Sequence, residues 1–214
     1  MTDTTVIIKT LGRDTIRAAY ESAKREGFEV IVINDGCDMP LSWEMDGPPC
    51  KTVKLGKQWG YYGGMAANVG AALATTEFIT FLDDDDEFIP GAGKIIRAKL
   101  KEKPAVDVWV GGVRFQQEIT LHNTSTGMPL QSPTSDLATN GRLGIVPGNV
   151  AMPTYRTSVF SKLPFSDTVP DTQKNLTDFL HIQMASMAGF SVDWFGEVIY
   201  LVRPVAGGVN GAGQ

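Results

Sequence analysis

The sequence predicts an α/β fold in which helices flank a mostly parallel central sheet, built as a single domain of 214 residues. Over residues 6–100, short apolar runs typical of strands alternate with segments of helical periodicity. Glycine, proline and asparagine mark the ends of these segments. An acidic run at residues 83–87 directly follows one of the predicted strands. Together these observations favour a doubly wound sheet whose loops meet at one edge.

The first elements follow from local signals. Residues 6–8 form a short apolar strand, and Asp14 then caps a helix that ends at Gly27. A second strand is predicted over residues 28–33, with turn chemistry at residues 34–36. The periodicity of the first helix predicts an inward stripe made of Ile16, Ala19, Tyr20 and Ala23.

The next elements lead to the acidic run. Residues 53–55 predict a brief third strand, and the glycine pair at 63–64 opens a helix. Residues 78–82 form the strand before the acids, and Pro90 begins another helix. The inward faces predicted for these two helices are Met65, Val69, Ala72 and Leu73, and then Ile95, Ile96 and Leu100.

The second half is less regular. A strand is predicted over residues 106–113, and a polar stretch at 116–147 is interpreted either as a functional loop or as a disordered insertion. A helix follows over residues 177–188, and the last strands span 191–195 and 198–202. The inward face predicted for this helix is Leu180, Met184 and Met187.

Composition excludes several classes of function. The net charge of −5 argues against broad binding to nucleic acid or anionic membrane. Cys37 and Cys50 lack metal-ligand spacing and are expected to be free thiols in a reducing compartment. Without a signal-peptide pattern or an apolar run long enough for a membrane span, the sequence predicts a cytoplasmic location and leaves a peripheral membrane role open.

The acidic run carries the strongest chemical signal. Carboxylates this close repel each other unless a positive charge lies among them. Hard divalent cations take carboxylate oxygens as ligands, so a metal site at the carboxyl edge of the sheet is the favoured interpretation of residues 83–87. The alternative is a solvated acidic turn.

Four segments resemble the family-2 glycosyltransferases, which are inverting enzymes of the GT-A fold that use nucleotide-sugar donors. Residues 6–13 are similar to the opening strand and loop of that family, and residues 31–36 are similar to its second strand and acidic turn. Residues 64–70 resemble its glycine- and asparagine-marked helix, and residues 81–90 match its acidic metal-binding motif. The resemblance implies a nucleotide-binding half at residues 1–104 and an acceptor-side half at 105–214.

The resemblance also implies roles for single residues. Asp85 would bind Mn²⁺ or Mg²⁺ bridging the donor diphosphate, and Asp83 and Asp84 would approach the metal or the ribose. Asp35 would help to hold the nucleobase, with uracil favoured because a carboxylate accepts from its N3–H; a guanine donor stays open. The remaining residues expected to bind the nucleotide sugar are Lys9, Thr10, Leu11, Arg13 and Asn68.

An inverting transfer needs a base that deprotonates the acceptor hydroxyl. Residues 177–182 resemble the acidic motif of the family at a helix start, which makes Asp178 the candidate base. The alternative role is a first-turn acid that stabilises the helix N-terminus. Asp171 and Asp167 are next in line.

The chain departs from the family pattern at three places. Thr177 stands where an acid often precedes the base, and Ala67 stands where an arginine often precedes the helix asparagine. Where the family often has a C-terminal histidine, Arg203 is present, either as a diphosphate contact or as a salt-bridged strand end. Trp59, with the two tyrosines after it, could stack on a base or sugar or serve in packing.

Two other functions are weighed against glycosyl transfer. A nucleotidyltransferase also needs a metal near phosphates, but its opening loop is richer in glycine and arginine than residues 11–13. A non-catalytic protein could bind the sugar nucleotide and lack the base. The acceptor, whether glycan, lipid-linked sugar, protein or modified nucleic acid, is not specified by the sequence, and a partner or a second subunit could help to bind it.

Overall fold

The computed structural model describes residues 3–40, 43, 50–60, 63–115, 153–166 and 177–203. The polar stretch predicted at 116–147 lies outside these ranges. Asp167 and Asp171 lie outside them too, and so does the tail after Arg203.

The described elements follow the predicted alternation of strands and helices. The strands are β1 (Thr4–Thr10), β2 (Glu29–Asn34), β3 (Lys51–Lys54), β4 (Phe78–Asp83), β5 (Glu87–Phe88), β6 (Val108–Phe115), β7 (Thr154–Arg156) and β8 (Val192–Val202). The helices are α1 (Ile16–Arg25), α2 (Gly64–Leu73), α3 (Ala92–Glu102), α4 (Thr157–Lys162) and α5 (Thr177–Met187).

The strands form one eight-stranded sheet in the order β3-β2-β1-β4-β7-β6-β8-β5. The first four strands in this order are mutually parallel, and β6 and β8 are parallel to each other. The pairs β4–β7, β6–β7 and β5–β8 are antiparallel. The predicted α/β fold with a mostly parallel sheet is therefore confirmed, and the loops after β1, β2, β3 and β4 lie at one edge.

Alternating side chains of the strands build a separate core on each face of the sheet. In β1, Val6 and Ile8 join a cluster with residues of α1 and α3, whereas Ile7 joins a cluster with residues of α2, α4 and α5. The same alternation holds in β2, where Val32 faces the first cluster and Ile33 the second. Both faces are covered, which explains why these strands are continuous apolar runs.

Two helices bury other residues more deeply than the ones predicted to face inward, although Val69 and Leu73 of α2 are partly buried against the core. In α2 the buried positions are the small residues Gly64, Ala66, Ala67, Gly70 and Ala71. In α5 the buried side chains include His181, Ile182 and Ala185, whereas Met184 and Met187 are exposed. The predictions followed the larger apolar side chains, but close packing of α2 on the sheet requires the small ones.

Smaller differences concern element ends. The last two predicted strands are one strand, β8, whose Gly196 has a φ of 76°. The short β5, β7 and α4 carried no sequence signal that predicted them. Among the described residues, no helix is both long enough and apolar enough to cross a bilayer.

Candidate active site

The acidic run lies in a tight turn between β4 and β5, at the carboxyl edge of the parallel strands. The Asp86 N–H donates to the carbonyl of Asp83 at 3.1 Å, which closes the turn. One carboxylate oxygen from each of Asp83, Asp85 and Asp86 lies within 4.8 Å of the other two. The turn thus gathers three carboxylates, which we name the acidic triad, and directs the fourth elsewhere.

Asp84 is the residue directed elsewhere. It is buried, and its Oδ2 accepts hydrogen bonds from Thr10 Oγ1 at 2.6 Å and from the Leu11 N–H at 3.0 Å. Its Oδ1 accepts a hydrogen bond from Arg13 Nη1 at 2.5 Å. The carboxylate therefore ties the loop after β1 to the loop after β4.

Two cations from the β1 side approach the triad. Lys9 is paired in register with Asp83, and its Nζ lies 2.8 Å from Asp83 Oδ1. Arg13 Nη1, besides its bond to Asp84, lies 3.1 Å from Asp85 Oδ2. These cations balance part of the negative charge at the end of β4.

Burial, together with the remaining negative charge, raises the pKa values of Asp85 and Asp86. Burial, and then the neighbouring Asp83, raise the pKa of Asp85 despite the opposing effect of Arg13. Burial, and then Asp83, raise the pKa of Asp86 to about 7, although the backbone N–H of Arg203 favours its ionised form. A divalent cation among these oxygens would relieve both the desolvation and the repulsion. The residues of the triad therefore fit a metal of the Mn²⁺ or Mg²⁺ type.

The end of β8 completes this side of the site. The buried Tyr200 hydroxyl accepts a hydrogen bond from the Asp83 N–H at 3.1 Å and is itself hydrogen-bonded to the Asp86 side chain. The Arg203 N–H donates to Asp86 Oδ1 at 3.0 Å, and Arg203 Nη1 lies 2.8 Å from Glu87 Oε1. Of the two alternatives for Arg203, the structure supports the salt-bridged strand end.

Asp35 lies at the end of β2, beside the β1 loop. It is 2% exposed, and its two oxygens accept from the N–H groups of Trp59 and Gly60 at 2.9 and 2.8 Å. Its own N–H donates to the Thr10 carbonyl at 3.0 Å. Asp35 thus links the loops that follow β1 and β3.

Other residues predicted from the sequence bond to partners outside the triad or are only partly described. The Asn68 amide donates to the Phe165 carbonyl at 3.0 Å and accepts from the Phe165 N–H at 2.8 Å. Asp178 is the second residue of α5, but its side chain is not among those described. The ring nitrogens of His181, also on α5, contact the Tyr155 hydroxyl and the Leu163 carbonyl.

Sequence reasoning missed two residues of the site. Asp86 was part of the acidic run but was not chosen as a ligand, and within a run of four identical residues only the geometry of the turn distinguishes them. Tyr200 reaches Asp83 across 117 residues of chain because β8 pairs with β5. Because β5 has only two residues, no local sequence pattern could predict that β8 pairs with it.

The chain is similar to known proteins in sequence pattern and in fold. A model of "Glycosyl transferase family 2" matches residues 5–198. Structures of S. aureus TarS 1–349 superpose with TM-scores of 0.64 alone and 0.68 in complex with UDP, each at 17% identity over 95% of this chain. The complex of that protein with UDP-GlcNAc gives a TM-score of 0.65 at 18% identity over 100% of this chain.

The likeness to TarS confirms a GT-A-like fold. This chain covers 60–62% of those TarS chains, or about three fifths of their length. No curated protein is significantly similar to this chain in sequence.

Proposed function

The chain belongs to glycosyl transferase family 2, and we propose that it transfers a glycosyl group from a nucleotide-diphosphate sugar to an acceptor hydroxyl with inversion. The observation that carries this proposal is the acidic triad at the carboxyl edge of the parallel strands, directly beside the loop after β1. In open α/β sheets this edge is where ligands bind.

We propose a UDP-sugar as the donor. TarS, which shares the fold, has been solved with UDP and with UDP-GlcNAc. The proposed nucleotide site is formed by Lys9, Thr10, Leu11 and Arg13, by Asp35 at the end of β2, and by Asp83 and Asp84, with Asn68 on α2. The tethers from Asp84 to Thr10, Leu11 and Arg13 support a preorganised β1 loop.

A divalent cation, Mn²⁺ or Mg²⁺, would be held by Asp85 and Asp83, and we add Asp86, whose carboxylate lies in the same cluster. When bound, such a cation neutralises the charge that develops on the leaving nucleoside diphosphate. The protein itself contributes Lys9 and Arg13, whose positive charges lie at the rim of the triad. Both cations favour the approach of an anionic diphosphate.

Asp178 is proposed as the base that takes the proton from the acceptor hydroxyl. It is the second residue of α5, which packs on β6 and β8 through Ile182, and it lies in the half of the chain that the family resemblance assigns to the acceptor. The acceptor, and any partner or second subunit that helps to bind it, belong to the same proposal.

The test separates donor binding from transfer. We expect Asp178→Asn to retain UDP affinity and to lose transfer by about a hundredfold or more, the scale of removing a general base. Transfer would be followed as UDP release from a panel of UDP-sugars with candidate acceptors, and binding by calorimetry. If this variant transfers at the wild-type rate, Asp178 is not the base; if the wild type binds no nucleotide sugar, the proposed function is wrong.

A further inference from the structure

The loop after β3 presents an exposed aromatic ring next to the proposed nucleotide site. Trp59 is 37% exposed, while Trp43 and Trp109 are buried. Among the described residues of the three adjacent loops, 10–13, 34–38 and 55–60, Trp59 is the aromatic one. An indole in this place offers a flat apolar face to a ligand.

This ring is held in a fixed loop. The Asp35 carboxylate accepts the backbone N–H groups of Trp59 and Gly60, and the Leu55 N–H donates to the Asn34 carbonyl at 2.9 Å. Lys57 adds a cation–π contact, with its Nζ 4.0 Å from the centre of the indole ring. An exposed tryptophan on a loop anchored by a buried carboxylate is preorganised for contact.

The loops after β2 and β3 also touch so closely that only glycine fits between them. Gly36 has a φ of 79°, and a Cβ there would lie 2.3 Å from the backbone N of Gln58. The Trp59 loop therefore lies directly against the turn that carries Asp35. Since the Asp35 N–H is in turn bonded to Thr10, the three loops form one connected surface.

We propose that Trp59 stacks on the nucleobase of the donor and that Asp35 is a positioning residue, which acts on the base through Trp59. The inference rests on the proposed function, because it needs a nucleotide at this edge of the sheet. Stacking on an aromatic side chain is open to every base, so it supplies affinity, and the surrounding loops supply the choice of base. Asp35, which is buried with both oxygens engaged, is suited to holding the loop.

The first experiment measures binding of UDP and of pyrophosphate by calorimetry in Mn²⁺. We expect Trp59→Ala to weaken UDP binding by about 5- to 150-fold, the range of base–aromatic stacking, and to leave pyrophosphate binding unchanged because it has no base. Trp59→Phe, which keeps an aromatic face, should restore most of the loss. Met187→Ala, which removes an exposed apolar side chain on α5, is the matched control and should bind UDP like the wild type.

The second experiment asks whether Asp35 acts through Trp59. In a double-mutant cycle, Asp35→Asn should weaken UDP binding when Trp59 is present. It should have no further effect when Trp59 is already replaced by alanine. Thermal unfolding of each variant checks that the fold is kept. Direct contact between Asp35 and the base would instead make the two losses additive, which would overturn the positioning role.

The outcomes separate this inference from the proposed function. If the wild type binds UDP and Trp59→Ala binds it with the same affinity, the stacking role alone is overturned. The same holds if Trp59→Ala loses affinity for UDP and for pyrophosphate by equal factors. Absence of UDP binding by the wild type overturns both. If UDP quenches the tryptophan fluorescence of the wild type but not that of Trp59→Phe, and Trp59→Phe still binds UDP, the result supports direct contact between Trp59 and the nucleotide.

Discussion

Asp84 and Asp85 are neighbours of the same type, yet their surroundings give them different roles. Asp84 is 1% exposed, and its carboxylate oxygens accept hydrogen bonds from Thr10, Leu11 and Arg13. Asp85 belongs to the triad. The sequence could predict that these acids cluster at the end of β4, but it could not say which of them form the triad, because that depends on the turn.

This difference leads to a prediction for Asp84→Asn. The loss of the charged acceptor should lower the free energy of unfolding by about 1.5–3 kcal/mol, the scale of hydrogen bonds to charged groups. Mn²⁺ binding should persist, because the triad remains. Denaturant unfolding and calorimetry measure the two effects, and Asp38→Asn, at an exposed aspartate, is the control. Loss of Mn²⁺ binding with unchanged stability would place Asp84 among the ligands.

His181 gives a prediction of pH dependence. Its Nε2 faces the Leu163 carbonyl, so Nε2 carries the hydrogen of the neutral ring and Nδ1 accepts from the Tyr155 hydroxyl. Burial lowers the pKa of His181 below its ordinary value of 6.5, although the bond to Leu163 opposes this shift. The folded state therefore takes up this proton at a lower pH than the unfolded state does.

The direction in which stability changes with pH follows from that difference in pKa. Well above pH 6.5 the ring is neutral in both states. As the pH falls through 6.5 the unfolded state binds the proton first, so the free energy of unfolding decreases. Urea unfolding of the wild type and of His181→Gln, which keeps a donor and an acceptor but does not titrate, isolates this effect. Identical pH dependences in the two proteins would contradict the assignment.

At the scale of elements, the packing of α2 on β1 shows what local patterns predict and what they miss. Glycine- and alanine-rich residues 64–73 were predicted as a helix, and they form one. The inward face was predicted from Met65, Val69, Ala72 and Leu73. The structure buries the small residues instead and leaves Val69 and Leu73 partly buried against the core. Helical periodicity ranks side chains by hydrophobicity, but the closeness of the sheet decides which of them fit.

The contact between Gly70 and Ile7 makes this testable. A Cβ at Gly70 would lie 2.3 Å from Ile7 Cγ2, in the buried core. Gly70→Ala should therefore lower the free energy of unfolding by about 1–3 kcal/mol through overpacking, even though alanine favours the helix. Gly64→Ala in the same helix is the control, since its Cβ would meet the Cβ of Phe165 at an ordinary 3.5 Å. A Gly70→Ala protein as stable as the Gly64→Ala protein would argue against this packing.

At the scale of the whole molecule, the parallel order of β3, β2, β1 and β4 converts motifs spread along the chain into one site. The meeting of these loops at one edge could be predicted from the sequence, because parallel strands that alternate with helices end at a common edge. The pairing of β8 with β5 could not, since it joins Tyr200 to a two-residue strand far away in sequence. The sequence therefore predicted that residues after β1 and β4 lie together at this edge, and it missed the contribution of β8.

The central claim is that the acidic triad binds a divalent cation that recruits the donor. Calorimetric titration of UDP into the protein, once in Mn²⁺ and once in EDTA, tests it most directly, with Asp85→Asn measured beside the wild type. We predict that the wild type binds UDP far more tightly in Mn²⁺ than in EDTA, and that Asp85→Asn loses this difference while keeping its fold. Equal affinity of the wild type for UDP in Mn²⁺ and in EDTA would contradict the claim.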